Sequence, residues 1–248
     1  MHYAALAIDY DGTLASHGRV DAAALDALER LKRSGRTLFL VTGRRLDDLR
    51  DAFPEYTICH RVVAENGALL HRPATDETVA LAPPVPASLV QALSRKGVQP
   101  LEVGAVLVAT RVPHEKTVID TLRELALDHE VTFNKETVMV LPPGVTKASG
   151  LARALEDLDI PADAVVGVGD AENDQAFLSL VGLPVAVADA VPSIKEEVAW
   201  VTRGGAGAGV VELIDRLLID DLASIPPVPR PRTGADTDDA GGGPIRIV

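Results

Sequence analysis

Two carboxylates stand two residues apart in Ile8-Asp9-Tyr10-Asp11-Gly12-Thr13-Leu14, directly after a short apolar run over residues 4–8. An aspartate is already ionised at neutral pH and can attack phosphorus to form a labile acyl phosphate, which is the chemistry open to Asp9. Asp11 would then protonate the leaving oxygen and later activate water, provided its surroundings favour the protonated form. An Asp-Gly pair is also ordinary turn chemistry, so this segment alone does not decide between a turn and a site. Three further segments bear on the choice. Val41-Thr42-Gly43-Arg44 closes a second apolar run, where a threonine hydroxyl and adjacent backbone N–H groups at a helix start suit a phosphate oxygen. Lys147 opens a later helical segment, as a cation that could neutralise Asp9 and a transferring phosphoryl group. Gly167-Val168-Gly169-Asp170-Ala171-Glu172-Asn173-Asp174 follows a third run, with Asp170 and Asp174 as hard oxygen ligands for magnesium. Each segment taken singly is more often structural. Their order, and the placement of three of the four at strand carboxyl ends, points to one ligand crevice of an open α/β sheet.

The elements that must position these residues are legible as a rhythm. Residues 4–8 and 37–41 are apolar runs, and residues 21–34 between them carry Ala24, Leu25, Leu28 and Leu31 at helical spacing up to Gly35. Strand, helix, strand with short links predicts a parallel sheet with right-handed crossovers. The pattern returns with helices over 147–158, 172–180 and about 208–218 and strands over 164–168 and 184–187. Between these halves, residues 73–143 read differently, as helix-strand-strand twice over, bounded by Pro83-Pro84 and Pro142-Pro143. The expected architecture is therefore an α/β, Rossmann-like, mainly parallel core over residues 1–72 and 144–222 with a small inserted α+β cap over 73–143. Residues 223–248, rich in Pro, Gly and Asp, read as a flexible tail or linker. Pro244-Ile245-Arg246-Ile247-Val248 looks like the start of a strand, as if a further domain followed in a longer chain.

Composition narrows the partners. The chain has 36 acidic against 24 basic residues, a net charge of −12, and no basic stripe to override it. Nucleic acid and anionic membrane are poor partners for such a surface, and a small phosphorylated metabolite is the expected one. No stretch approaches the length of a membrane span and no signal segment opens the chain, so a cytoplasmic location is expected. The single cysteine, Cys59, reads as a buried strand residue, and His17, His60, His71, His114 and His129 lack metal-ligand spacing. The run from Gly204 to Gly209 lacks the Lys and Ser/Thr of a phosphate-binding P-loop and reads as a flexible entry to the last helix.

Taken together, the four segments resemble those of the haloacid dehalogenase superfamily of phosphotransferases, in the Cof-like (IIB) branch whose cap lies between the second and third motifs. The resemblance covers residues 4–218. It implies Asp9 as nucleophile, Asp11 as general acid/base, Thr42 and the neighbouring Gly43 and Arg44 as the phosphate-binding segment, and Lys147 as the third-motif cation. It implies Mg2+ bound by Asp9, by the backbone carbonyl of Asp11 and by the acidic fourth motif, Asp170 and Asp174. Asn173 and Asn66, in Glu65-Asn66-Gly67-Ala68, match positions near the phosphate. Arg44, Asn66 and Asn173 are equally readable as capping or turn residues. Asp11 separates the chain from relatives that cleave carbon–halogen bonds, which lack this carboxylate.

The function this implies is a phosphatase for small phosphate monoesters, with phosphoglycolate or a short sugar phosphate favoured by the plan of the small-capped members. A phosphotransferase or mutase would use the same aspartyl phosphate, and a regulatory module would keep the fold without the chemistry. Arg111, His114 and Lys116 in the cap could bind a carboxylate or sugar hydroxyls, or form a solvated basic turn.

Overall fold

The computed structural model describes residues 2–226. The chain opens with β1 (Ala5–Asp9), α1 (Ala22–Arg33), β2 (Thr37–Val41), α2 (Leu46–Ala52), β3 (Arg61–Ala64), β4 (Leu69–Arg72) and β5 (Glu77–Ala80). It continues through α3 (Ala87–Arg95), β6 (Glu102–Val103), β7 (Val108–Arg111), α4 (Glu115–Glu124), β8 (Glu130–Asn134) and β9 (Thr137–Leu141). The last part is α5 (Lys147–Glu156), β10 (Val165–Gly169), α6 (Gln175–Leu180), β11 (Leu183–Ala186), α7 (Pro192–Lys195), β12 (Trp200–Val201) and α8 (Ala206–Asp220).

Strands β1 and β10 are buried at every residue, as unbroken apolar runs must be when helices cover both faces of a sheet. They lie side by side in an eight-stranded sheet of order β12-β11-β10-β1-β2-β3-β4-β5. The pairs from β12 to β3 are parallel, and β4 and β5 add an antiparallel edge. From β1 the chain winds one way through β2 and β3, then returns to the other side at β10. The junction of β1 and β10 is thus the point where strand order reverses, and the crevice beyond the strand carboxyl ends opens there. Helix α1 starts where the Asp21 carboxylate accepts the Ala24 N–H at 2.7 Å, and α5 starts in a capping box between Thr146 and Ser149. Among the described residues no helix is long and apolar enough to cross a membrane.

The second sheet is four-stranded and antiparallel, of order β6-β7-β9-β8. Its side chains alternate between faces. Val108, Val138 and Val140 pack under α3 and α4 with Leu89, Leu93, Val118 and Leu122 in a core of their own. Leu107, Ala109 and Met139 turn the other way and join the large core cluster of the main sheet.

Several expectations change. The insertion was expected from residue 73, but β5 pairs with β4 in the main sheet, so the polar stretch Glu77–Ala80 is an exposed edge strand of the core. Cys59 is buried but sits after a 3-10 turn begun by Pro54 and before β3, so it is not a strand residue, and burial pushes its thiol up to about 12. The glycine run is not a flexible entry: α8 already begins at Ala206, and a Cβ on Gly209 would meet the Gly204 carbonyl at 2.5 Å. Small residues here let the helix lie close to its own leading loop. The expected tail also starts later than residue 223, because Leu222 and Ile225 pack into the main core. Most of the proline-rich stretch and the strand-like segment from Pro244 to Val248 lie outside the described residues.

Candidate active site

Asp9 is the last residue of β1, Thr42 follows β2, Glu65 follows β3 and Asp170 follows β10. Four adjacent strands thus deliver their last or next residues to one edge of the sheet. Lys147 reaches the same place from the first turn of α5, and Asp174 from the turn before α6. Asp9, Lys147, Asp170 and Asp174 are all buried, none more than 4% exposed.

Buried charges persist only when they are paired. The Lys147 ammonium donates to Asp9 Oδ1 and to Asp174 Oδ1, each at 2.5 Å. Asp174 Oδ2 accepts the N–H groups of Asp170 and Ala171 at 2.9 and 3.0 Å. Asp170 accepts from Thr13 Oγ1 at 3.2 Å and from Lys135 Nζ at 3.2 Å. Gly12 makes this possible: its φ of +92° turns the loop beside Asp170, and a Cβ there would land on the Asp170 carboxylate. The balance of charge remains short of cations. Burial holds Asp9 well above the ordinary carboxylate range, and Asp174 adds to the effect while Lys147 opposes it. Burial alone would lower Lys147, but Asp174 and Asp9 together raise it, so the ammonium stays charged.

Asp9, Asp170 and Asp174 each offer an oxygen, all within 4.8 Å of one another. Three hard carboxylate oxygens around an electrostatic deficit fit a divalent cation. The three are not equivalent, because both oxygens of Asp174 are already engaged by Lys147 and the backbone. The Asp11 carboxylate is outside this cluster. It is clasped by Arg44, whose Nε and Nη2 each lie 2.7 Å from it, and the guanidinium stacks over the Tyr10 ring at 5.0 Å. This pair joins two of the expected site residues to one another and accounts for the orientation of both.

Thr42 is buried, and its hydroxyl oxygen accepts the Arg44 N–H at 3.1 Å, so the O–H remains a donor beside Gly43. Asn66, at φ +56°, accepts from Asn173 Nδ2 at 3.3 Å, and Asn173 Oδ1 is buried without a protein partner. The residues anticipated from sequence therefore gather at one edge. Of the cap residues, Arg111 lines a cavity of about 740 Å3 between the two sheets, with Asp11, Arg44, Lys135 and Met139. His114 and Lys116 do not; His114 Nε2 lies 2.9 Å from the Gln99 carbonyl and Lys116 pairs with Asp120. His17 is exposed on a tight turn at φ +50°. Lys135, which sequence reasoning passed over, is a cap residue that pairs with Asp170 in the site. Its only signal is a position at the tip of the β8–β9 hairpin opposite the crevice.

A family model described as haloacid dehalogenase-like hydrolase matches residues 6–99 and 90–214. A phosphoglycolate phosphatase of Methanothermobacter thermautotrophicus is 32% identical over 223 residues, covering 86% of this chain and 98% of the relative. The phosphoglycolate phosphatase of Nitrosopumilus maritimus is 27% identical over 222 residues, covering 85% and 94%. The solved structure of a subclass IIB sugar phosphatase overlays with a TM-score of 0.67 at 21% identity, covering 86% of this chain and 98% of that one, a likeness of fold. With the family model spanning both arms of the main sheet and the inserted sheet between them, the chain belongs to the haloacid dehalogenase-like hydrolases.

Proposed function

We propose that this chain, a phosphatase by family, hydrolyses small phosphate monoesters through a phosphoryl group carried on Asp9. The observation that carries the reading is the buried set of Asp9, Lys147, Asp170 and Asp174 at the strand ends beneath a chamber lined by Arg44, Arg111 and Lys135. Asp9 Oδ attacks phosphorus as the ester P–O bond breaks, and Asp11 gives its proton to the departing oxygen. Water then attacks the phosphoryl group, Asp11 takes up its proton, and the P–O bond to Asp9 breaks to release inorganic phosphate. Thr42 Oγ1 and the Gly43 N–H hold a non-bridging oxygen, with Asn66 and Asn173 beside them, and Lys147 offsets charge on Asp9 and the transferred group. Arg44 releases Asp11 when an incoming phosphate draws the guanidinium away. Asp9, Asp170 and the Asp11 backbone carbonyl would hold magnesium, with Asp174 fixing Lys147 and the turn behind them; a bound magnesium supplies positive charge beside the phosphoryl oxygens.

The substrate we favour is an ester of phosphate with a small polar leaving group, phosphoglycolate (leaving glycolate) first and a short sugar phosphate next. Support comes from the relatives named phosphoglycolate phosphatase and from the guanidinium and ammonium groups in the chamber. The test is inorganic phosphate release from a panel of phosphorylated metabolites, with magnesium and after chelation. Phosphoglycolate or a short sugar phosphate should lead in kcat/KM. A nucleoside triphosphate or phosphoprotein as best substrate would overturn the substrate reading, and phosphate transfer to a sugar without release to water would overturn the hydrolytic one.

A further inference from the structure

Glu65 is buried at the end of β3, yet it belongs to none of the chemistry above. Its carboxylate crosses from the core to the cap. Oε1 accepts the Ala105 N–H at 2.7 Å, and Oε2 accepts the N–H groups of Val106 and Leu107 at 2.8 and 3.0 Å. Three consecutive amides of the β6–β7 turn thus converge on one side chain from the other sheet. Charge-assisted bonds of this kind are strong, and a buried carboxylate left without them would be costly. The approach is so close that a Cβ on Gly104 would meet the Glu65 carboxylate at 2.5 Å.

The backbone at Glu65 faces the chemistry. Its N–H donates to the Arg44 carbonyl at 2.9 Å, and the next N–H, of Asn66, donates to the Thr42 carbonyl at 2.9 Å. Glu65 and Asn66 both hold positive φ, at 50° and 56°, a conformation that side-chain-bearing residues keep only where the surroundings enforce it. One residue therefore binds the Thr42–Arg44 loop through its main chain and the cap through its side chain. The amides it holds lead directly into Leu107 and Ala109, which line the chamber.

We propose that Glu65 is a positioning residue that pins the cap over the crevice and registers the chamber wall against the phosphate-binding loop. The inference rests on the reading of the crevice as a phosphatase site. The chain passes between core and cap through segments that hold the proline pairs Pro83-Pro84 and Pro142-Pro143, and the Glu65 bonds add a non-covalent link between the two sheets. Both oxygens of the Glu65 carboxylate are engaged by cap amides, so its effect falls on leaving-group recognition.

The test combines amide hydrogen exchange with two esters. In the wild-type protein the amides of 105–107 should share one protection factor, each rate taken against its own intrinsic rate, because one opening exposes all three. Glu65→Gln places an N–H2 against donors; it should speed those amides by about tenfold or more while β1 and β10 keep their protection. In the same variant kcat/KM for phosphoglycolate should fall by roughly tenfold or more, with p-nitrophenyl phosphate changed by less than about threefold. Gly104→Ala, which pushes from the cap side, should reproduce both effects. Unrelated wild-type protection factors at the three amides, unaltered exchange in Glu65→Gln, or equal losses on both esters would each overturn the proposal. If wild-type enzyme hydrolyses neither ester, the phosphatase reading falls, and the exchange measurements still decide the pin.

Discussion

The charges on the two sides of the chamber are kept in opposite ways. On the core side Asp9, Lys147 and Asp174 are buried and bonded to one another or to the backbone, and Asp170 is buried with its carboxylate on Thr13 and on Lys135. On the cap side Lys135 keeps 58% of its side chain exposed, and Arg111 is exposed at the end of β7. A buried network has no slack, since removing one member strands the others without water. Exposed side chains on a hairpin tip and strand end can be exchanged at little structural cost. On the function proposed above, the contrast is a division of labour: the core edge performs one reaction and the cap face chooses among esters.

The comparison breaks most readily at its rigid side. Asp9→Asn should remove essentially all turnover, on the order of 10^4-fold or more, while circular dichroism reports an intact fold. Wild-type-like turnover by the folded variant would sink the mechanism. Asp170→Asn should weaken magnesium binding by about tenfold or more, read by calorimetry on the protein without substrate. Unchanged affinity would move the cation away from this cluster. Asp11→Asn should be milder and selective. An ester with a good leaving group needs little acid assistance, so its first step should survive better than that of an alkyl phosphate. Equal losses for the two would remove Asp11 from the acid role.

What the sequence carried was whatever a strand end can signal locally. An apolar run followed by Asp, Thr or Gly-Asp placed Asp9, Thr42 and Asp170 at one edge, because parallel crossovers bring successive strand ends together. Partners formed between loops were invisible. Nothing near Asp11 announces Arg44, which is 33 residues away, and nothing near Asp170 announces Lys135. The weak strands failed for a related reason: Glu77–Ala80 has an exposed, polar pattern and pairs only because β4 offers an open edge. In the glycine run, sequence reasoning took absent side chains for freedom, where the packing uses them for contact.

At the cap, Lys135→Ala tests the adaptable half of the contrast. KM for phosphoglycolate should rise by about tenfold with kcat within about threefold, the pattern of lost uniform binding. An aryl phosphate should be nearly indifferent. A collapse of kcat on every ester would mean that Lys135 works with Asp170 as part of the reacting assembly, and the division of labour would then be drawn in the wrong place.

The smallest expected effect separates burial from mere membership of the core. Asp157 caps the far end of α5, the helix whose first residue is Lys147, and is only partly exposed. Its carboxylate takes Arg72 Nη2 at 2.5 Å and Arg61 Nε at 2.6 Å, tying the helix to β3 and β4. These bonds, Arg72's first, hold its carboxyl well below the ordinary range. The sign follows. A depressed carboxylate contributes stability above its unfolded value of about 4, and that contribution fades as pH falls below it. Asp157→Asn should therefore cost about 1 kcal/mol or less near pH 7 once solvent screening is counted, and less still in high salt. The gap between wild type and variant in chemical denaturation should narrow as the pH drops from about 5 to about 3. Phosphatase kinetics should stay within about twofold, because the charge lost is at the wet end of the helix and Lys147 at the dry end keeps both of its carboxylates. A gap that does not change with pH would show that Asp157 acts through shape and not through its ion pairs. A large loss of turnover would show that the two ends of α5 are coupled, and that the rigidity ascribed to the buried cluster reaches the surface.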